Sequence, residues 1–326
     1  MNPKIVCIGE LLIDFICKDI DSDLVDGESF EKKAGGAPAN VCAAAAKLGQ
    51  KVGFIGKVGN DSFGKFLERT LTETGVDTKM LYFDREKPTT LAFVSLRKDG
   101  ERDFIFNRGA DENLSFGELD LKNLKDTKIF HFGSATALLG GNLKKTYYEL
   151  MKYAKSKGAF VSFDPNWRGA LFGERKEEFV AESIKCLAYA DFTKVSDEEA
   201  RIISGKENLE EAVDEIHKYG TPVVVVTLGK DGTLLSIDGK KIVVKSIEVK
   251  SIDSTGAGDA FIGAVLYKLS MEENPKEVIC TLEKSKEIVG FANKVGAITC
   301  TKLGAIAALP TLDDLEKIKT ENNIVN

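Results

Sequence analysis

The stretch SIDSTGAGDAFIGAVL, Ser251 to Leu266, decides how this chain folds. Thr255-Gly256-Ala257-Gly258 is a run of small residues feeding the start of a helix. Such a loop turns backbone N–H groups toward an anion. Yet Asp259, the next residue, is itself an anion. Within the helix, Phe261, Val265 and Leu269 share one face at i, i+4 spacing, while Ala260, Gly263 and Ala264 keep a second face small for close packing.

Outward from it, apolar runs of β type alternate with helical periods. Strands are expected at Ile5–Ile8, Val52–Ile55, Ile129–Phe132, Phe160–Phe163, Phe192–Val195, Val223–Leu228, Thr233–Ile237 and Ile242–Lys245. Helices are expected at Pro38–Leu48, Phe63–Thr74, Asn142–Ser156, Lys176–Ala188, Asp197–Ile203, Leu209–Lys218, Ala257–Leu269 and Lys276–Asn293. This alternation implies a mostly parallel sheet covered on both faces, and Val223-Val224-Val225-Val226 is the fully buried kind of strand such sheets contain. Two segments break the rhythm, about 11–33 and 89–108. The second, LAFVSLRKDGERDFIF, reads as a hairpin around Lys98-Asp99-Gly100. A small β layer beside the main sheet is the simplest reading of both, and a pair of edge strands of the main sheet is the alternative.

The 326 residues, 43% hydrophobic, suffice for one large domain. With a net charge of −6 and the charges well mixed, the chain lacks the basic footprint of a nucleic-acid binder. Its apolar runs are too short to span a bilayer, and Glu10 and Asp14 come too early for a secretory leader. A soluble cytoplasmic protein is expected. The six cysteines, Cys7, Cys17, Cys42, Cys186, Cys280 and Cys300, form no C-x-x-C pair and read as reduced thiols, most of them small buried hydrophobes. The two histidines disfavour a His-rich zinc site or a Ser-His-Asp triad. His131 reads as a strand-end residue with a satisfied ring, and His217 as a solvated helix residue.

Gly59-Asn60-Asp61-Ser62-Phe63-Gly64-Lys65-Phe66 imitates a P-loop, but Phe66 stands where the Mg²⁺-binding hydroxyl belongs. Ser62 reads there as the N-cap of an ordinary helix. No G-x-G-x-x-G follows the first strand, which disfavours a nicotinamide dehydrogenase. In Ala34-Gly35-Gly36-Ala37-Pro38-Ala39-Asn40, Pro38 starts a helix that Gly49 ends. Gly35-Gly36 is either a turn or a place where a ligand touches backbone, and Asn40 offers donors and acceptors of the kind a sugar needs. Asp14, among Leu12, Ile13 and Phe15, is either a solvated strand-end acid or a carboxylate paired by polyol hydroxyls.

Asp259 has the same two faces. A first-turn acid complements the helix dipole, but that leaves the small residues before it unexplained. A phosphoryl-transfer site explains both. The loop amides hold phosphate oxygens, and Asp259 accepts the proton of the attacking hydroxyl on the other side. Mg²⁺ and the helix terminus offset the repulsion.

Together, GGAPAN (35–40) with its Ala-rich helix, and DSTGAGDAF (253–261), resemble the two signatures of the ribokinase-like (PfkB) carbohydrate kinases. GELLIDF, FIGKVGNDSFGKFL, FDPNWR and FANKVGAITCTKLGAIAALP resemble the fructokinases within that family. The resemblance spans nearly the whole chain. It implies a three-layer αβα sandwich, Rossmann-like with a mostly parallel sheet, as one kinase domain over 1–326 whose small β-sheet lid closes over a sugar. It implies ATP with Mg²⁺, Asp259 as base, and Gly256, Ala257 and Gly258 as an anion hole. Asp14, Gly35, Gly36 and Asn40 match sugar-contacting positions, and Arg168 a residue near the transferred phosphate. Thr227, Gly229 and Gly232 match the nucleotide loop, and Asn293 a position near adenine. The family's N-x-x-E is Ser196-Asp197-Glu198-Glu199 here. Glu199 is then expected to hold a water of Mg²⁺, while Ser196 either lines the ATP site or caps a helix. Asp253 and Thr255 match a K⁺ site.

The expected reaction is transfer from ATP to the 6-hydroxyl of D-fructose. 2-Keto-3-deoxygluconate, ribose and a nucleoside such as aminoimidazole riboside are the alternatives. An acid sugar would favour a second cation near Arg168, with Arg102 or Arg108 as candidates, and Arg108 is taken as substrate-contacting. A non-catalytic sugar or nucleotide sensor is the reading from another class. A homodimer through the lid is expected, because exposed sheet edges pair.

Overall fold

The computed structural model describes residues 2–19, 21–96 and 102–317. In chain order the elements are β1 (Ile5–Ile8), β2 (Leu12–Cys17), β3 (Phe30–Gly35), α1 (Ala37–Lys47), β4 (Val52–Gly59), α2 (Ser62–Glu73), β5 (Asp77–Asp84), β6 (Leu91–Leu96), β7 (Arg102–Asn107) and β8 (Ile129–Phe132). Then follow α3 (Gly141–Ser156), β9 (Phe160–Phe163), α4 (Gly169–Phe172), α5 (Lys176–Leu187), β10 (Phe192–Ser196), α6 (Asp197–Ser204), α7 (Leu209–Lys218), β11 (Val223–Thr227), β12 (Thr233–Ile237), β13 (Lys240–Val244), α8 (Ala257–Ser270), α9 (Pro275–Cys280) and α10 (Leu282–Thr299).

Among the described residues a nine-stranded sheet runs β13-β12-β11-β10-β9-β8-β1-β4-β5. It is parallel except for the β11-β12 and β12-β13 pairings. Alternation along β1 shows why both faces are covered. Ile5 and Cys7 enter the core layer that holds Val41 and Phe261, and Val6 and Ile8 the one that holds Leu143 and Phe179. Val223 to Val226 are wholly buried, each stabilising the fold by roughly 1.5–3 kcal/mol. A parallel sheet carries its ligands beyond the carboxyl ends of its strands, which is where α1, α6 and α8 begin.

The second sheet runs β3-β2-β6-β7. β6 and β7 pair antiparallel, as the hairpin reading requires; its Lys98-Asp99-Gly100 turn lies outside the described residues. Phe15 of β2 stacks on Phe93 at 5.0 Å and meets Phe63 of α2 edge-on at 5.6 Å. Asp14 alternates to the opposite face, away from α2.

Several expectations are corrected. The helix expected over Lys276–Asn293 is two, with Thr281 in extended backbone between α9 and α10. β5 was not foreseen. Asp61, not Ser62, caps α2, accepting from Gly64 N at 2.8 Å. His217 is held between Thr221 O and Ser236 Oγ, both at 2.8 Å, rather than solvated. His131 is fully buried, and among the described residues only its Nδ1 has a partner, Ser162 Oγ at 3.1 Å.

Candidate active site

Two helices begin side by side. α1 starts at Ala37 and packs along α8, where a Cβ on Gly263 would lie 2.9 Å from Val41 O; the small residues of both sequences exist for this approach. Both N-termini turn their positive dipole ends toward one place. Asn40 of α1 and Asp259 of α8 meet there: Asn40 Nδ2 donates to Asp259 Oδ2 at 2.8 Å. Asn40 Oδ1 is buried and has no partner among the described residues. A buried unmet acceptor is costly, and a ligand hydroxyl would satisfy it.

Asp259 is half-buried at this junction. Burial pushes its carboxyl up to about 6; the Asn40 bond opposes this, Asp164 adds to it, and Lys194 and Arg168 oppose it. At neutral pH it is ionised and able to take a proton. The turn before it depends on Gly256, whose φ of 76° is left-handed and whose Cβ would lie 2.8 Å from Ala305 Cβ. Ala257 N donates to Ser254 O at 3.2 Å, so within the expected anion hole this amide is shared with a turn. Asp253 accepts from Thr255 N at 2.9 Å, from Thr255 Oγ1 at 2.6 Å and from Gly304 N at 2.9 Å, which fixes the loop entering α8.

On one flank lies the small sheet. Burial pushes Asp14 up to about 6, with the charge of Arg168 opposing. Gly35 is required by this carboxylate: a Cβ there would lie 2.8 Å from Asp14 Cγ. Gly36 is the N-cap of α1. Asp14, Gly35, Gly36 and Asn40 therefore lie in one region of the structure. Arg108 does not join them freely. Its Nε donates to Asp111 at 3.2 Å and an Nη to Thr136 O at 3.0 Å.

On the other flank a cleft of about 530 Å³ runs between Thr227, Gly229 and Gly232 at the β11–β12 turn and Gly296 and Ala297 of α10, ending on Ala257 and Gly258. Asn293 lines it, but its side chain is engaged, accepting from Thr233 Oγ1 at 2.6 Å and donating to Val244 O at 2.8 Å. It ties α10 to the sheet.

Arg168 projects from the loop after β9, and its charge reaches both Asp14 and Asp259. The loop is braced from α6. Glu199 Oε1 accepts from Trp167 N and Oε2 from Ser196 N, both at 2.7 Å, while Ser196 Oγ accepts from Glu199 N at 3.1 Å. Ser196 is thus a helix cap, its alternative reading. Trp167 anchors the loop against Phe179, ring centres 4.6 Å apart.

Sequence reasoning missed a buried polar web beside the site. Glu10, between β1 and β2, accepts from Ala37 N at 3.2 Å, from Ala135 N at 3.3 Å and from Ser134 Oγ. Burial pushes it up to about 7, with the Ser134 hydrogen bond opposing. Lys194, on β10, pairs with Asp164 at 3.1 Å. The only signal for either was a charge inside an apolar run.

The profile of the pfkB family carbohydrate kinases matches residues 2–312. Fructokinase-1 of Oryza sativa subsp. japonica is 39% identical over 322 residues, covering 97% of this chain and 98% of the relative. A double-mutant fructokinase from Vibrio cholerae O395, solved with fructose, ADP and potassium ion, superposes with a TM-score of 0.84 at 31% identity, covering 97% of this chain and 99% of that one. A putative ribokinase II from E. coli, solved with ATP and Mg²⁺, gives 0.86 at 27% identity, covering 98% and 99%. The sheet order, the paired helix starts and a match over nearly all the sequence agree, and the chain belongs to the pfkB family of carbohydrate kinases.

Proposed function

We propose that this kinase transfers the γ-phosphoryl group of ATP to the 6-hydroxyl of D-fructose. The observation that carries the reading is the place of Asp259: a half-buried carboxylate between the 530 Å³ cleft and the Asp14–Gly35–Asn40 cluster. The nucleotide lies in the cleft with its phosphates toward Gly256–Gly258, and Thr227, Gly229 and Gly232 line its path. The sugar lies under the small sheet, its hydroxyls on Asp14 and Asn40. Asp259 accepts the proton of the attacking hydroxyl, contributing about 10²–10⁴-fold. The first-turn amides and Arg168 stabilise the charge on the phosphoryl group in flight, where one preorganised donor is worth about 10²–10³-fold.

Mg²⁺ arriving with ATP neutralises phosphate charge. Glu199 fits its expected part, since each of its oxygens accepts one backbone amide and keeps a lone pair for a metal-bound water. Asp253 and Thr255 mark the proposed K⁺ position, with the loop they fix as its frame. The small sheet acts as a lid that excludes water, so that the phosphoryl group goes to sugar. Ile16 and Ile105 on that sheet are 36% and 48% exposed, which supports a homodimer formed through the lid. Among the described residues no helix is long and apolar enough to cross a membrane, and the enzyme is proposed to work in the cytoplasm.

The test is ADP release with Mg-ATP over fructose, ribose, 2-keto-3-deoxygluconate and aminoimidazole riboside. Fructose should give the highest kcat/KM. A higher value for another acceptor overturns the choice of sugar, and no release with any alcohol overturns the reaction.

A further inference from the structure

Lys194 has no part in the reading above, yet it is the buried cation of the site. Its side chain is 11% exposed. Nζ donates to Asp164 Oδ2 at 3.1 Å and lies 3.4 Å from where a Cβ on Gly258 would stand. The ammonium therefore sits where a side chain at position 258 would project from the first turn of α8, and Gly258 leaves room for it. The groups facing it are Asp164 at the end of β9, Glu199 from α6, Asp259 from α8 and His131 from β8. His131 is neutral: burial pushes it down to about 3, and Lys194 acts in the same direction. Burial favours the neutral amine at Lys194, but the three carboxylates outweigh it and hold the proton on. An ion pair buried only for stability gains little over an apolar pair of the same volume. This one lies against Gly258, in the turn that would meet a phosphoryl group.

We propose that Lys194 is a fixed cation behind the anion-binding turn, acting through Gly258 on the phosphoryl group in flight and not on the nucleotide at rest. The inference rests on the phosphoryl-transfer reading. A preorganised charge in a site sheltered from water needs no rearrangement when the transferred group gains charge. Asp164 keeps the ammonium in place, and through Asn166 N at 3.1 Å it also shapes the loop that carries Arg168.

The test compares the unaltered enzyme with Lys194→Met, Lys194→Arg and the double variant Lys194→Met/Asp164→Asn, reading kcat, KM for ATP and melting temperature. Lys194→Met should lower kcat by about 10²–10³-fold while KM for ATP stays within about threefold. It also leaves Asp164 unpaired, so its melting temperature should fall. The double variant removes both charges and keeps an acceptor for Asn166 N; it should regain the melting temperature but not kcat. Lys194→Arg keeps the charge and should keep at least about a tenth of kcat. If the double variant recovers kcat, Lys194 merely neutralises Asp164 and the inference is overturned. A rise in KM with kcat intact, or an Arg variant as slow as the Met variant, overturns it equally. An unaltered enzyme silent with every alcohol would sink the phosphoryl-transfer reading and this inference with it; an active enzyme with indifferent variants sinks the inference alone.

Discussion

Replacing Asp259 with asparagine separates chemistry from binding and from folding. The amide is nearly isosteric, and its oxygen still accepts from Asn40 Nδ2, a bond that is 2.8 Å long in the parent. It cannot hold the proton of an attacking hydroxyl, so kcat should fall by about 10²–10⁴-fold, or roughly 3–5 kcal/mol of barrier. KM for ATP should stay level or drop, because a negative charge has been removed from beside the phosphates. Stability should move the other way. The carboxyl titrates at 3.8 in a free chain and is pushed up to about 6 in the fold. Keeping it ionised therefore costs the folded state at most about 3 kcal/mol. That cost is absent below pH 3.8, grows as pH rises through 6 and is complete above it. The asparagine variant should match the parent near pH 4 and melt higher at pH 8. Chemical denaturation at both pH values, with a coupled ADP assay at saturating substrates, reads all three quantities. If turnover stays within about tenfold of the parent, Asp259 is not the base. If instead the variant is destabilised at pH 8, the carboxylate is held by favourable contacts and the burial argument fails.

Other consequences follow from the same geometry. The acid limb of kcat/KM should lie near pH 6, because Asp259 and Asp14 are both pushed up to about 6 and both work ionised; a limb near pH 4 would show that neither is desolvated. Since two protons are involved, its slope should exceed tenfold per pH unit. Gly35→Ala places a Cβ 2.8 Å from Asp14 Cγ, so KM for the sugar should rise about tenfold or more while KM for ATP stays put; an unchanged sugar KM would remove Asp14 from the sugar site. Gly256→Ala sets an L-residue at a φ of 76° against Ala305, which should cost about 1–2 kcal/mol of stability and lower kcat by misaligning the first-turn amides. A melting curve and a single kinetic titration would decide it.

The parts legible in the sequence are those whose residues sit together in the chain. Val223–Val226 announces a buried strand because four neighbours share one environment. The Gly256 turn, Asp259 and the small face of α8 lie within one run, so loop, proposed base and packing could be read as a unit. β5 escaped because DTKMLYFD is an edge strand with only Met80 and Leu81 buried, and it shows no clean alternation. The break at Thr281 escaped because both helices keep apolar periods up to it. The electrostatics escaped for a deeper reason. Lys194 in FTKVS looks like a solvated residue until Asp164, thirty positions away, and Gly258, sixty-four away, close around it. Glu10 looks like an interruption until the loop at Ser134–Ala135 and the start of α1 supply its donors. Whether a charge is exposed or buried depends on partners that only the fold brings near, and so does the energy that tunes Asp259. A local pattern singles out the group proposed to react; the nonlocal shell determines the pH at which it ionises.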